Sequence, residues 1–292
     1  MSVTGTVLWF LLGGGFVGLG AFFLWRLCGG VRVWQLVVAE LVPVCILLCV
    51  TVFMGQIAMA VGLLWGAVAV NLALCGWISL CFGLRLERSD WLLLVWLILG
   101  IGGCHLLSGS GYIGVYSGLG LLVVGFIALW MGGGRQHVNS CGGKWRLGNW
   151  LGLVGVLVML MVGAWLLVSR RAVVSAVWGW PVSLFAVGCL SLFLGVMHCA
   201  GICFGKSIPK QQVLRGLMWG NVLLVTLGMG LLAVMQGGLR LPSSLHELVL
   251  PWCVGAALVT VVGVYLPKKT TRWWGGLVVA LYLVFIGSLL MY

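Results

Sequence analysis

Acidic side chains are nearly missing from this chain: its 292 residues hold only four, Glu40, Glu87, Asp90 and Glu247. Charge of either sign is scarce as well, at 7% of residues, where a soluble domain keeps about a quarter to hold its hydration shell. So little charge leaves no polar shell to present to water, which excludes a soluble globule and makes lipid the solvent. The motifs of soluble catalysis are missing too. There is no P-loop, no Rossmann glycine pattern after a strand, no HExxH, no nucleophile elbow, and no loop long enough for a catalytic domain. The residues describe no enzyme and call for no cofactor.

Hydrophobic side chains are abundant, at 63% of residues. One crossing of a bilayer needs about 20 of them in a row. Ten segments meet that length: Thr6–Leu27, Val33–Met54, Ile57–Phe82, Asp90–Leu107, Tyr112–Met131, Leu147–Val168, Val174–Phe204, Val213–Met235, Leu245–Leu266 and Trp273–Tyr292. The first lacks a small-residue cleavage pattern and is too long for a signal-peptide core, so it is predicted to be a retained helix. The eleven cysteines lie mostly inside apolar runs, as at Cys45, Cys49, Cys75, Cys189, Cys199 and Cys203. They read as small buried hydrophobes, and none has zinc spacing with a histidine partner. No metal is assigned. Many of the seventeen tryptophans fall near segment ends, where the indole N–H reaches headgroup water.

The sixteen Lys and Arg give a net charge of +12, but they sit at the ends of apolar runs and form no aromatic-interleaved stripe for nucleic acid. Taking alternate connections, one side receives Arg26, Arg32, Arg85, Arg88, Arg135, Lys144, Arg146, Lys206, Lys210, Arg215, Lys268, Lys269 and Arg272. The other receives Arg170, Arg171 and Arg240. Thirteen against three is a positive-inside signal, which puts the loops after segments one, three, five, seven and nine in the cytoplasm and both termini outside. Compact size and short loops suit a bacterial cytoplasmic membrane.

The longest polar interruption, residues 132–146 (GGGRQHVNSCGGKWR), divides the chain into halves of five segments, 1–131 and 147–292. An odd number per half inserts two similar halves in opposite directions, the arrangement of inverted-repeat transporters. The halves are similar. Gly66–Asn71 reads GAVAVN and Gly216–Asn221 reads GLMWGN, both G-x-x-x-x-N within apolar segments at corresponding places. Each half closes on a segment with a glycine near its start, YIGVYSGLGLLVV at Tyr112–Val124 and TRWWGGLVVALYL at Thr271–Leu283.

On these residues the chain resembles the sodium/calcium exchanger family, the calcium/cation antiporter superfamily. That family carries two inverted five-helix repeats, each with a G-T-S-L-P-E-like helix, an R-G-E-like turn and a G-S-N-x-x-N helix. The resemblance covers nearly the whole chain. Ala39–Val44 (AELVPV) falls on the first proline-glutamate motif, Gly55–Gln56 on the turn and Gly62 on a family glycine. In the second half Cys189–Leu194 (CLSLFL) falls on the motif, Gly205–Lys206 on the turn and Gly216–Asn221 on the second signature. From Gln211 to Tyr292 spacing, Asn221, Arg272 and the closing segment all fall in step. The resemblance implies an all-α integral membrane protein of ten transmembrane helices in two inverted-topology five-helix repeats. It also implies secondary cation antiport.

The departures fall on the ion chemistry. The two ion-binding glutamates implied by the family would fall on Val44 and Leu194, and the serine and first asparagine of each signature on Ala67 and Val68, then Leu217 and Met218. Calcium needs six to eight oxygen ligands, usually with carboxylates among them. The expected ion is therefore monovalent, or a proton, and specificity is altered or reduced. A non-transporting scaffold or partner subunit that keeps the fold is the alternative, its protein partner unknown.

Glu40 lies one helical turn from Val44 on the same face. An acid inside a membrane costs about 2.5–3.5 kcal/mol on insertion scales and marks function by default. It reads as a displaced ligand or proton carrier, or else as a structural acid near the interface. Asn71 and Asn221 match the second asparagine of each signature and read as carbonyl ligands to a cation, or as interhelical hydrogen-bonding groups. Ser191 stands at the second ion motif, or bonds back to its own backbone. Gly66 and Gly216 are the repeat-signature glycines. His198, His105 and His246 read as packing residues, and Glu87 and Asp90 as a solvated cluster with Arg85 and Arg88. Gly14 and Gly18, and Gly201 and Gly205, have the spacing of close helix contacts.

Overall fold

The computed structural model describes residues 3–27, 33–84, 86, 90–133, 147–191, 195, 209–265 and 270–291. Apolar runs in lipid must satisfy their backbone within the segment, and helix does so. In chain order the described helices are α1 (Val3–Leu27), α2 (Val33–Phe53), α3 (Ile57–Phe82), α4 (Trp91–Leu107), α5 (Val115–Gly133), α6 (Leu147–Trp178) and α7 (Val182–Phe185). They are followed by α8 (Lys210–Met235), α9 (Leu245–Tyr265) and α10 (Thr271–Met291). A wider π-turn, Ala186–Leu190, extends α7; another, Leu224–Gly228, interrupts α8; a third, Leu245–Val249, opens α9. Among the described residues five helices are long and apolar enough to cross a membrane: α3, α6 within Gly152–Arg171, α8, α9 and α10. Shorter apolar stretches lie in α1, α2, α4 and α5.

The chain forms two compact units, residues 1–63 with 138–208 and residues 64–137 with 209–292. Each draws on both halves of the sequence. In the first unit α1 lies along α6, and two glycines make that approach possible. A Cβ at Gly163 would stand 2.8 Å from the Gly13 carbonyl oxygen and the Val17 nitrogen, and one at Gly20 would meet Leu160. Gly14 and Gly18 are buried, and a Cβ at Gly13 on the same helix would stand 2.9 Å from Leu166. Gly201 and Gly205 lie outside the described residues. The Phe10 and Phe185 rings, 5.2 Å apart, join α1 to α7. Within α2, Pro43 leaves the Ala39 carbonyl without its helical donor.

The sequence places a connection between Val168 and Val174, and the structure moves it. α6 runs unbroken to Trp178, carrying Arg170 and Arg171 within it. Nothing in Ser169–Val173 breaks a helix, and an arginine stem can run along the helix while its head reaches a polar group. Arg171 does so, its Nη1 donating to the Val168 carbonyl at 2.6 Å. The break comes at Gly179, with φ +69°, followed two residues later by Pro181.

In the second unit α3 and α8 are the interior helices. Some 83% and 78% of their apolar windows are buried, against 33% for α9 and 22% for α10. Glycines again set the contacts. A Cβ at Gly118 of α5 would stand 2.8 Å from Ala233 of α8, and one at Gly76 of α3 would stand 2.7 Å from Val278 of α10. Beyond α4 the chain turns at Gly111, φ +72°, into β1 (Tyr112–Ile113), which pairs antiparallel with β2 (Leu239–Arg240) after α8. The fifth helix therefore starts at Val115, three residues later than the sequence suggests, because Tyr112 and Ile113 are drawn into this clamp. The Leu241 N–H donates to the Gly111 carbonyl at 2.8 Å and completes it.

At the far end of the same two helices Arg215 of α8 pairs with Asp90, Nε to Oδ1, at 3.0 Å. Asp90 is thus ion-paired across two helix starts; Arg85, Glu87 and Arg88, the other members of the expected cluster, lie outside the described residues. α4 and α8 start together at the ion pair and end together at the clamp, so they run the same way. Lys210 lies over the Phe82 ring at 5.9 Å, and Arg272 borders Gly83. The end of α3 and the starts of α8 and α10 share the basic end with Asp90 and Arg215. Arg240 lies at the other.

Candidate functional site

Asn71 of α3 and Asn221 of α8 are buried, at 1% and 0% exposure. Nδ2 of Asn71, and both Nδ2 and Oδ1 of Asn221, have no hydrogen-bond partner among the described residues. A buried amide group left unpaired costs about 1–3 kcal/mol, so these groups call for a partner. The signature glycines Gly66 and Gly216, five residues ahead of each, are buried too.

Helix periodicity sets the two amides at one level. Asn71, Cys75 and Ser79 follow an i, i+4, i+8 stripe on α3, and Leu214, Met218 and Asn221 an i, i+4, i+7 stripe on α8. Cys75, Ser79, Leu214 and Met218 all line one small cavity of about 40 Å³. Asn71 lies about 6 Å along its helix from Cys75, and Asn221 about 4.5 Å from Met218, at 1.5 Å per residue. Both steps lead away from the basic end. The two amides therefore close the two stripes at one level, on the faces that α3 and α8 turn toward a common space. Leu64, two turns further along α3, packs against Gly228 of α8.

The cavity's remaining walls come from α9 and α10, with Thr260, Gly263, Thr271 and Trp274 among them. Ser79 Oγ donates to the Cys75 carbonyl at 2.9 Å, and Thr260 Oγ1 to Ala256 at 2.8 Å, leaving both oxygens able to accept. Trp274 Nε1 is buried without a partner among the described residues. Thr260 and Trp274 belong to no motif, and their part depends on how α9 and α10 pack.

Thr226, within the α8 π-turn, donates to the Val222 carbonyl at 2.6 Å. Such turns are frequent at functional sites. Ser191 belongs to the first unit, where its Oγ donates to the Ala186 carbonyl at 3.1 Å, across the α7 π-turn. Its proton is used by its own backbone. Glu40 lies on α2 in the first unit, its side chain outside the described residues. Leu194, Gly205, Lys206 and His198 lie outside them as well, whereas Val44, Ala67, Val68, Leu217 and Met218 are buried. Among the described residues no three His, Cys, Asp or Glu side chains gather as a metal group. At the clamp end an open hollow of about 840 Å³ is lined by Tyr112, Arg240, His246 and Glu247.

No family model matches the chain, and no curated protein matches it by sequence. Solved structures do match by shape. The H+/Ca2+ exchanger CAX aligns over 97% of this chain and 88% of its own, at 13% identity and a TM-score of 0.71. Native YfkE aligns over 100% and 98%, at 12% identity and a TM-score of 0.72. The sodium-calcium exchanger NCX_Mj aligns over 98% and 99%, at 18% identity and a TM-score of 0.67. The chain is an all-α integral membrane protein with the fold of the calcium/cation antiporters.

Proposed function

We propose that the chain is a secondary cation antiporter of altered or reduced specificity, taking a monovalent cation or a proton. The observation that carries this reading is the pair of buried amides Asn71 and Asn221 at corresponding places in the two halves, with Nδ2 of both and Oδ1 of Asn221 unpartnered among the described residues, one turn beyond the residues of α3 and α8 that line one cavity. A ligand with oxygen-seeking charge would use the Asn221 carbonyl oxygen. Without a carboxylate the site is neutral, which suits one monovalent charge and is too weak for calcium. Glu40 of α2 is the ionisable group assigned to coupling. Ser191, whose proton is bonded to backbone, retains lone pairs and stays a secondary candidate ligand.

Ten crossings in two inverted five-helix repeats, 1–131 and 147–292 about the 132–146 linker, are part of the same reading. So are a cytoplasmic basic end, both termini outside and a bacterial inner membrane. The apolar side chains buried at Val44, Ala67, Val68, Leu217 and Met218 favour a second reading, a scaffold or partner subunit that keeps the fold without transport. Flux into proteoliposomes under sodium, potassium, calcium and proton gradients separates the two, with Glu40→Gln alongside. Antiport predicts flux under a monovalent gradient and its loss in Glu40→Gln. Silence under every gradient from folded protein favours the scaffold.

A further inference from the structure

The cavity is walled by α3, α8, α9 and α10. Its volume, about 40 Å³, exceeds the 10–15 Å³ that one water needs on this measure. A wholly apolar hole of this kind would stay dry, but this one has acceptors and a donor. Ser79 and Thr260 offer hydroxyl oxygens, Thr271 a third hydroxyl, and Trp274 an indole N–H that finds no acceptor among the described residues. Those are enough partners to hold water. Just past the cavity, on the same two helix faces, lie Asn71 and Asn221 with unmet amide groups of their own. On the other side it reaches Leu86 and Thr271, at the basic end beside Arg272.

We propose that this cavity is a hydrated access chamber, through which water and a small dehydrated cation reach the Asn71–Asn221 level from the basic end. The inference rests on the antiport reading for its purpose, though not for its test. Trp274 Nε1 donates to the first water. That water donates on to Thr260 and Ser79, and the chain of water ends at the two amides, whose orphaned groups it satisfies. Gly263 keeps the chamber open: a Cβ there would lie 3.1 Å from Trp274 Cδ1, and a larger side chain would fill the space.

Cys75 in the chamber wall supplies a reporter. A full-length variant keeping only this cysteine, in proteoliposomes, is exposed to silver ion from the basic face, and unblocked thiol is then counted after denaturation. A second variant keeping only Cys104, which is fully buried and does not line the chamber, sets the baseline. Cys75 is expected to be blocked about tenfold faster than Cys104 or more, since thiol reactivity follows access to water. Gly263→Leu is expected to return it to the Cys104 rate, and Thr260→Val, nearly the same shape without the hydroxyl, to slow it. Cys75 as shielded as Cys104 would overturn the chamber, as would fast blocking that neither variant slows. Fast, chamber-dependent blocking without any cation flux would sink antiport and leave the chamber. Flux with a shielded Cys75 would do the reverse.

Discussion

At Asn221 stability and function are set against each other. A fully buried amide with both polar atoms unpaired among the described residues gains the fold little over an apolar side chain of similar volume. Asn221→Leu is expected to leave the melting temperature unchanged or raise it slightly, by up to about 1 kcal/mol since water reaches the amide in the native protein, while cation flux is lost. A fall in melting temperature would mean that the amide is a packing group with partners. The Asp90–Arg215 pair gives the opposite expectation. It is partly buried, at 14% and 28% side-chain exposure, so Asp90→Ala should destabilise the second unit by about 1 kcal/mol. A double-mutant cycle with Arg215→Ala reads that coupling. The two asparagines were legible in the sequence because the G-x-x-x-x-N pattern occurs twice at corresponding places. The ion pair was not, because its partners are 125 residues apart and only the parallel course of α4 and α8 joins them.

Element boundaries were legible where the sequence carries a breaker and obscure where it carries only charge. α3 runs from Ile57 to Phe82 as its apolar run suggests, between Gly55 and Gly83, both at positive φ. Two adjacent arginines look like a loop in hydropathy, yet α6 absorbs them and stops only at Gly179. The start of α5 was hidden for another reason: Tyr112 and Ile113 are apolar enough for a helix, and a partner strand in the other half of the chain claims them. Helix contacts give a sharp expectation here. Gly163→Leu should abolish the α1–α6 approach and the folded yield with it, since backbone atoms stand 2.8 Å from its Cβ. Gly155→Leu on the same helix has open space around it and should be neutral or stabilising by up to about 1 kcal/mol through helix propensity. Monodispersity of the two purified variants in detergent decides.

On the scale of the whole molecule, the sequence was sufficient for the fold and insufficient for the chemistry. Scarce charge and long apolar runs lead to an all-α membrane protein, and the shape agrees with solved exchangers at 12–18% identity. Which residues meet at a site depends on packing, and the cavity walls from α9 and α10 have no counterpart in any motif. The two ends of the second unit, with Lys210, Arg215 and Arg272 at one and the β1–β2 clamp at the other, give a direct topology expectation. Cysteines placed at 84 and at 110 should label from opposite faces of the membrane, with 84 on the cytoplasmic side. Labelling from one face would overturn the alternation.

The most direct test of cation antiport is sodium flux into proteoliposomes holding the native chain, against Asn71→Leu and Asn221→Leu proteins of equal or greater thermal stability. Flux in the native protein and none in either variant is the expected result. Equal flux in all three, or none in the native protein under any monovalent or proton gradient, would contradict a cation site at the amide pair.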